Sequence, residues 1–115
     1  MPTIIKGNLI MEKDIEYNGD LIVEGNILGK NGNRYNLKVH GNITARNISA
    51  GNISAGNIDA WDISAWNITA GNIDAGNISY YAVCFAYKNI KCKSIKGTRN
   101  NARHFVIDGK IEVVK

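Results

Sequence analysis

Residues 41–80 read GNITA RNISA GNISA GNIDA WDISA WNITA GNIDA GNISY, eight consecutive pentads of the form X-[Asn/Asp]-Ile-[Ser/Thr/Asp]-[Ala/Tyr]. Isoleucine falls at 43, 48, 53, 58, 63, 68, 73 and 78, and alanine at every fifth position from Ala45 to Ala75. Val83 extends the isoleucine series once more, and Ile90 and Ile95 resume it after a slip of two positions. A period of five suits neither ordinary element. On an α-helix, at about 100° per residue, each step of five turns the isoleucine by roughly 140° and scatters the series around the cylinder. On a flat strand an odd period sends successive isoleucines to opposite faces. All eight share one interior only if the backbone turns a corner once per pentad. The chain therefore winds as a solenoid whose coils stack by strand pairing.

Within a pentad the chemistry divides the work. Ile and Ala, two positions apart, lie on one face of a short strand and point inward. Position X takes Gly, Arg or Trp and points outward. Asn or Asp before each Ile suits a corner, where its side chain bonds nearby backbone. Ser, Thr or Asp after each Ile forms polar columns on the outside.

These pentads resemble the pentapeptide-repeat family, and the resemblance covers residues 41–80 of the chain. That family places a small residue two before a large central one, with Asn or Asp between them. Here the large Ile sits two before the small Ala, so the bulky and small members trade places. The flanks carry a second pattern. Val23-Glu24-Gly25-Asn26-Ile27 and Val39-His40-Gly41-Asn42-Ile43 are near copies, and Ile5-Lys6-Gly7-Asn8-Leu9 is an earlier one. Ile107-Asp108-Gly109-Lys110-Ile111 reads as a further copy towards the end. The starts at 5, 23 and 39, and the step from Ile95 to Ile111, set a repeat length of roughly 16 to 18. This flanking pattern is similar to that of the bactofilins, polymer-forming cytoskeletal proteins, which implies a three-sided right-handed β-helix.

The expected fold is thus all-β, a single right-handed β-solenoid domain over 1–115 with about 16–20 residues per coil. Residues 1–40 form N-terminal coils, 41–80 the regular pentads, and 81–115 the C-terminal coils or cap. Coils of roughly 16 to 18 residues suit three sides of five or six, whereas four pentads would make about 20, so three sides are favoured over four. With strands stacked ~4.8 Å apart, about seven coils make a rod ~30–35 Å long. The polar stretch 29–34, with its Asn31-Gly32 step, reads as a turn or small loop off the coil.

Composition agrees. There are 18 isoleucines, 16 asparagines and 12 glycines against four leucines, and Ile, Asn and Gly all form helices poorly. At 44% hydrophobic residues the chain has ample material for a core. No apolar run approaches the roughly 20 residues a membrane-spanning helix needs, so a membrane is not expected as a partner. The start, Met1-Pro2-Thr3-Ile4-Ile5-Lys6, lacks the pattern of a secretory signal. A cytoplasmic location follows as an expectation, with Cys84 and Cys92 as reduced thiols. The Asn-x-Ser/Thr triplets, such as Asn42-Ile43-Thr44, are then by-products of the repeat.

A smooth solenoid supplies no concavity of convergent polar groups, so the chain is not expected to be an enzyme, to take a cofactor or to act on a small-molecule substrate. His40, Cys84, Cys92 and His104 match no zinc-finger spacing, and no metal site is expected. Two groups of residues stand out as candidates for binding. Trp61 and Trp66 replace Gly at the outward position of adjacent pentads and, with Tyr80 and Tyr81, are candidates for contact with a protein partner or a second copy of the chain. Lys88, Lys91, Lys93, Lys96, Arg99 and Arg103 lie in a stretch free of Asp and Glu and interleaved with aromatics. They are candidates for nucleic acid or an acidic partner, the alternative being a solvated basic face.

The function expected first is a non-enzymatic scaffold that binds a protein or itself through flat faces and coil ends. A nucleic-acid binder using 88–103 is the second reading. The third is a small inhibitor of a nucleic-acid-processing enzyme, for example phage-encoded, which the pentapeptide resemblance implies. Imitation of duplex DNA by such an inhibitor needs a long acidic surface, and the net charge of +4 argues against that mode.

Overall fold

A computed structural model describes residues 3–113 and forms a parallel β-solenoid of about seven turns. The strands begin with β1 (Thr3–Ile5), β2 (Leu9–Met11), β3 (Ile15–Tyr17), β4 (Leu21–Val23), β5 (Ile27–Gly29) and β6 (Leu37–Val39). Through the pentads run β7 (Ile43–Thr44), β8 (Asn47–Ser49), β9 (Asn52–Ser54), β10 (Asn57–Asp59), β11 (Asp62–Ala70) and β12 (Asn72–Asp74). Then follow β13 (Asn77–Ala86), β14 (Ile90–Cys92), β15 (Ser94–Gly97), β16 (Arg103–Val106) and β17 (Ile111–Val113).

Every pairing is parallel, and together they define three faces. The first stacks β1, β4, β7, β10, β12, β14 and β17. The second stacks β2, β5, β8, the first half of β11, the first half of β13, and β15. The third stacks β3, β6, β9, the second half of β11, the second half of β13, and β16. The coil is three-sided.

In the pentads Ile43, Ile58 and Ile73 are register partners, so three pentads close a coil of 15 residues, just below the expected range. Outside them the coil swells. Leu9 pairs Ile27 at a separation of 18, Ile15 pairs Leu37 at 22, and Ile90 pairs Ile111 at 21, the same separations that the corner hydrogen bonds span there. The interval from Val23 to Val39 is not a coil length. Asn26 leads into the second face and Asn42 into the first, because all three corners use the same Gly-Asn-Ile chemistry. Likeness of sequence marks a corner without saying which one. The Cα extents, 31 × 29 × 23 Å, describe a stubby prism rather than a rod. The 29–34 stretch does leave the coil, as a short 3-10 turn over Lys30–Gly32 with Asn31 at φ 59° and Gly32 at φ 77°.

The core lies along the prism axis. All eight pentad isoleucines are at most 1% exposed, and each such burial contributes about 1.5–3 kcal/mol before entropy is counted. Alanine beside each isoleucine leaves room for the isoleucines of the other two faces. Val83 does not continue the series. The corner at Tyr81 and Ala82 holds one residue more than the corner at Trp66, so Cys84, fully buried, stands in register with Ile68. Among the described residues no helix is long and apolar enough to cross a membrane.

Candidate functional site

The corners set what the surface can offer. Asn or Asp before an inward residue bonds the next coil, not its own, at every such corner position except Asn47. At the first corner Asp20 Oδ1 accepts from the Asn42 N–H (2.8 Å), Asn42 from Asn57 (3.1 Å), Asn57 from Asn72 (3.0 Å), Asn72 from Asn89 (3.2 Å) and Asn89 from Lys110 (3.1 Å). Similar ladders link Asn8, Asn26 and Asn47, and Asp62 and Asn77, at the second corner. The third carries Asp14, Asn36 and Asn52, and Asn67 with Val83. Most corner N–H groups, which the strand ladders leave without partners, are satisfied this way, while those of Asp62 and Asn67 donate to the Arg46 and Gly51 carbonyls.

Position X lies close over the coil below wherever glycine fills it: Gly56 N–H donates to the Gly41 carbonyl at 2.7 Å, Gly71 N–H donates to that of Gly56, and Gly76 N–H at the second corner donates to that of Trp61. A Cβ on Gly71 would lie 2.7 Å from the Gly56 oxygen. Every corner also carries side chains at this position in some coils, Lys88 at the first, Arg46 and Trp61 at the second and Trp66 at the third. Trp61 and Trp66 occupy the second and third corners of one coil, 62% and 47% exposed, and the strip 62–65 of the second face runs between them. Along that face the outward column is Ser49, Ser64, Ser79 and Lys96, in register from coil to coil. Arg46, one coil before Trp61 in the same corner, places its guanidinium carbon 5.0 Å from the Trp61 ring centroid. Tyr81 is exposed near Trp66, with Arg99 over its ring at 5.9 Å.

Tyr80 is not a surface residue. It is 2% exposed and fills the inward position that alanine holds in the preceding pentads, with Gly97 above it in register. Its hydroxyl is hydrogen bonded to His104 Nδ1 at 2.6 Å, and burial pushes its ionisation above the ordinary value. A step of five from Ala75 lands on residue 80, so the repeat itself signals this inward position.

The six basic residues are all exposed but do not form a stripe. Lys91 points out from β14 on the first face, Lys96 from β15 on the second and Arg103 from β16 on the third. Lys88, Lys93 and Arg99 lie between those faces. A segment as long as one coil goes once around the prism, so its charges disperse over the whole circumference. On the first face Lys91 stands between Asp74 and Glu112 in register.

Among the described residues no three His, Cys, Asp or Glu side chains group as metal ligands. His40 pairs with Glu16, whose carboxyl is held below its ordinary value chiefly by that hydrogen bond. Cys84 and Cys92 are free, buried thiols, and burial pushes Cys84 up to about 12.

Arg34, at the end of the 29–34 loop, carries no signal in the sequence beyond a polar turn. Its half-buried guanidinium straps two coils, with Nη1 donating to the carbonyls of Ala50 (3.0 Å) and Ser64 (3.2 Å) and Nη2 to Ser64 Oγ (3.1 Å). It lines a shallow hollow with Ser64, Trp66, Ser79, Tyr81 and Thr98. No family model, curated protein or solved structure matches this chain.

Proposed function

We propose that the protein is a non-enzymatic β-solenoid scaffold that binds a protein partner through its second face. The observation that supports this is the pair Trp61 and Trp66, both exposed, at the two margins of one flat serine-lined strip. A flat strip bounded by two large rings offers a broad apolar contact with a polar centre, the composition that favours a protein over a small substrate. Glycine holds the same outward position in neighbouring pentads, so Trp61→Gly with Trp66→Gly removes the rings without breaking the coil rule. The test is capture of proteins from a bacterial lysate by wild type and by the double variant, with matched unfolding curves. Proteins retained by wild type and lost by the variant support the reading; an identical captured set overturns it.

Self-association is the second reading, supported by the outer edges of β1, β2 and β3 and of β15, β16 and β17, which pair with no further strand among the described residues. Light scattering across a concentration series tests it, and a strict monomer at high concentration overturns it. The pentads further support a pentapeptide-repeat-like β-helix, and the flanks a bactofilin-like one. Two free thiols fit a reducing compartment, and cytoplasm is the proposed location.

A further inference from the structure

We infer that the hollow between the second face and the third corner is a binding site for an oxyanion carried on an aromatic ring, with Arg34 as the group that grips the anion. The hollow encloses about 190 Å³ and is lined by Arg34, Ser64, Trp66, Ser79, Tyr81 and Thr98. No Asp or Glu lines it, and among the described residues Arg34 pairs with no carboxylate.

The donor count on Arg34 gives the site its chemistry. A guanidinium has five N–H groups in a fixed plane. Three are used, two from Nη1 to the Ala50 and Ser64 carbonyls and one from Nη2 to Ser64 Oγ. The N–H of Nε and the second N–H of Nη2 remain. These two lie along the same edge of the guanidinium, the edge that meets both oxygens of a carboxylate or phosphate at once. The three bonds already made hold the group in place, so little side-chain freedom remains to be lost on binding.

Two hydroxyls, of Ser64 and Ser79, supply further polar contacts around the same space, and that of Thr98 beside them donates to the Tyr80 carbonyl. Trp66 and Tyr81, 47% and 51% exposed, form apolar walls that favour a flat ring next to the anion. Arg99 lies on the Tyr81 ring and, with Trp66 and Tyr81, lines an adjoining hollow, which places a second cation at the rim. The ligand class is therefore an aryl phosphate or an aryl carboxylate. The site goes beyond the scaffold reading, and its test needs no protein partner.

The probe is phenyl phosphate, compared with phenol, in a Trp61→Gly background where Trp66 is the one remaining tryptophan. The expected result is a saturable change in Trp66 fluorescence together with a shift of the Arg34 Nε–H resonance in a nitrogen-labelled sample. Arg34→Lys keeps the charge but loses the two-pronged edge, and should weaken binding by about tenfold, the equivalent of one charge-assisted hydrogen bond. An unmoved Nε–H signal at millimolar phenyl phosphate overturns the site. So does equal binding of phenol, or undiminished binding by a folded Arg34→Lys protein. If Arg34→Lys fails to fold, the Nε–H titration in the Trp61→Gly protein decides alone.

Discussion

Asn57 Oδ1 receives two hydrogen bonds from Asn72 in the next coil, one from the backbone N–H at 3.0 Å and one from Nδ2 at 2.9 Å. One side-chain oxygen thus fixes both the corner and the side chain stacked on it. Asp62 does the same for Asn77, at 3.1 and 3.0 Å, so the acceptor matters more than the amide. Asn57→Ala should lower stability by about 1–3 kcal/mol, read from urea unfolding, because the Asn72 N–H loses its partner. Asn57→Asp keeps the acceptor and gives up the Nδ2 bond to Asn42, so its loss should be clearly smaller. Equal losses for the two variants would show that the ladder is not held by the acceptor.

The outward corner position differs from coil to coil in what it tolerates. Gly71→Ala puts a methyl carbon 2.7 Å from the Gly56 carbonyl oxygen, backbone that cannot swing aside. A loss of about 1–3 kcal/mol is expected, in line with overpacking elsewhere. Trp66→Gly, at an exposed third-corner position, should cost less than about 1 kcal/mol. Thermal unfolding of the two variants side by side decides the order.

Alkaline pH should expose the buried thiols. Burial, with a smaller contribution from Cys92, pushes Cys84 from 9.0 to about 12. The folded protein holds this proton more tightly than the unfolded chain does, so the unfolded chain loses it first. The contribution is full below pH 9.0 and falls between pH 9.0 and about 12, at up to about 1.4 kcal/mol per pH unit. Cys84→Ala should flatten the decline of stability between pH 9.0 and about 12, even though it lowers stability throughout. Parallel declines in the two proteins would remove Cys84 as the cause.

On the first face, Asp59 and Asp74 stand in direct register on adjacent strands, both exposed. Like charges so placed repel, and Lys91 flanks Asp74 but not Asp59. Asp59→Ser, which other pentads carry at the same position, should raise stability by about 0.2–1 kcal/mol at low salt. Added salt should erase most of that gain, since both carboxylates face solvent. A gain that persists at high salt would point away from charge repulsion.

The solenoid and its inward isoleucines are legible in the sequence because a period of five admits one solution, a corner per pentad. The three-sided section is legible in part. The interval from Ile5 to Val23 is a true coil, while that from Val23 to Val39 links two different corners. Asn and Asp stand out as corner residues, but local sequence says nothing about whether a side chain bonds its own turn or the coil above. Tyr80 matches Tyr81 in type and so reads as a surface residue, although its pentad position is inward. The basic stretch reads as a patch because its charges are close in sequence, and one lap of the prism separates them in space. Arg34 is out of reach because a loop's sequence does not state which coils its side chain will span.

Fifteen residues per coil also make the middle of the gene a ruler with a fixed gradation. Duplicating or deleting three pentads would change the prism by one layer of ~4.8 Å and leave all three ladders in line. Gaining or losing a single pentad would instead rotate everything downstream by one face, and Tyr81 and Arg99 would no longer rise above Trp66. Length can therefore drift only in triplets of repeats if the surface is to keep its pattern. Any relative of this chain that preserves the aromatic corner should differ from it in the pentad region by whole multiples of that unit.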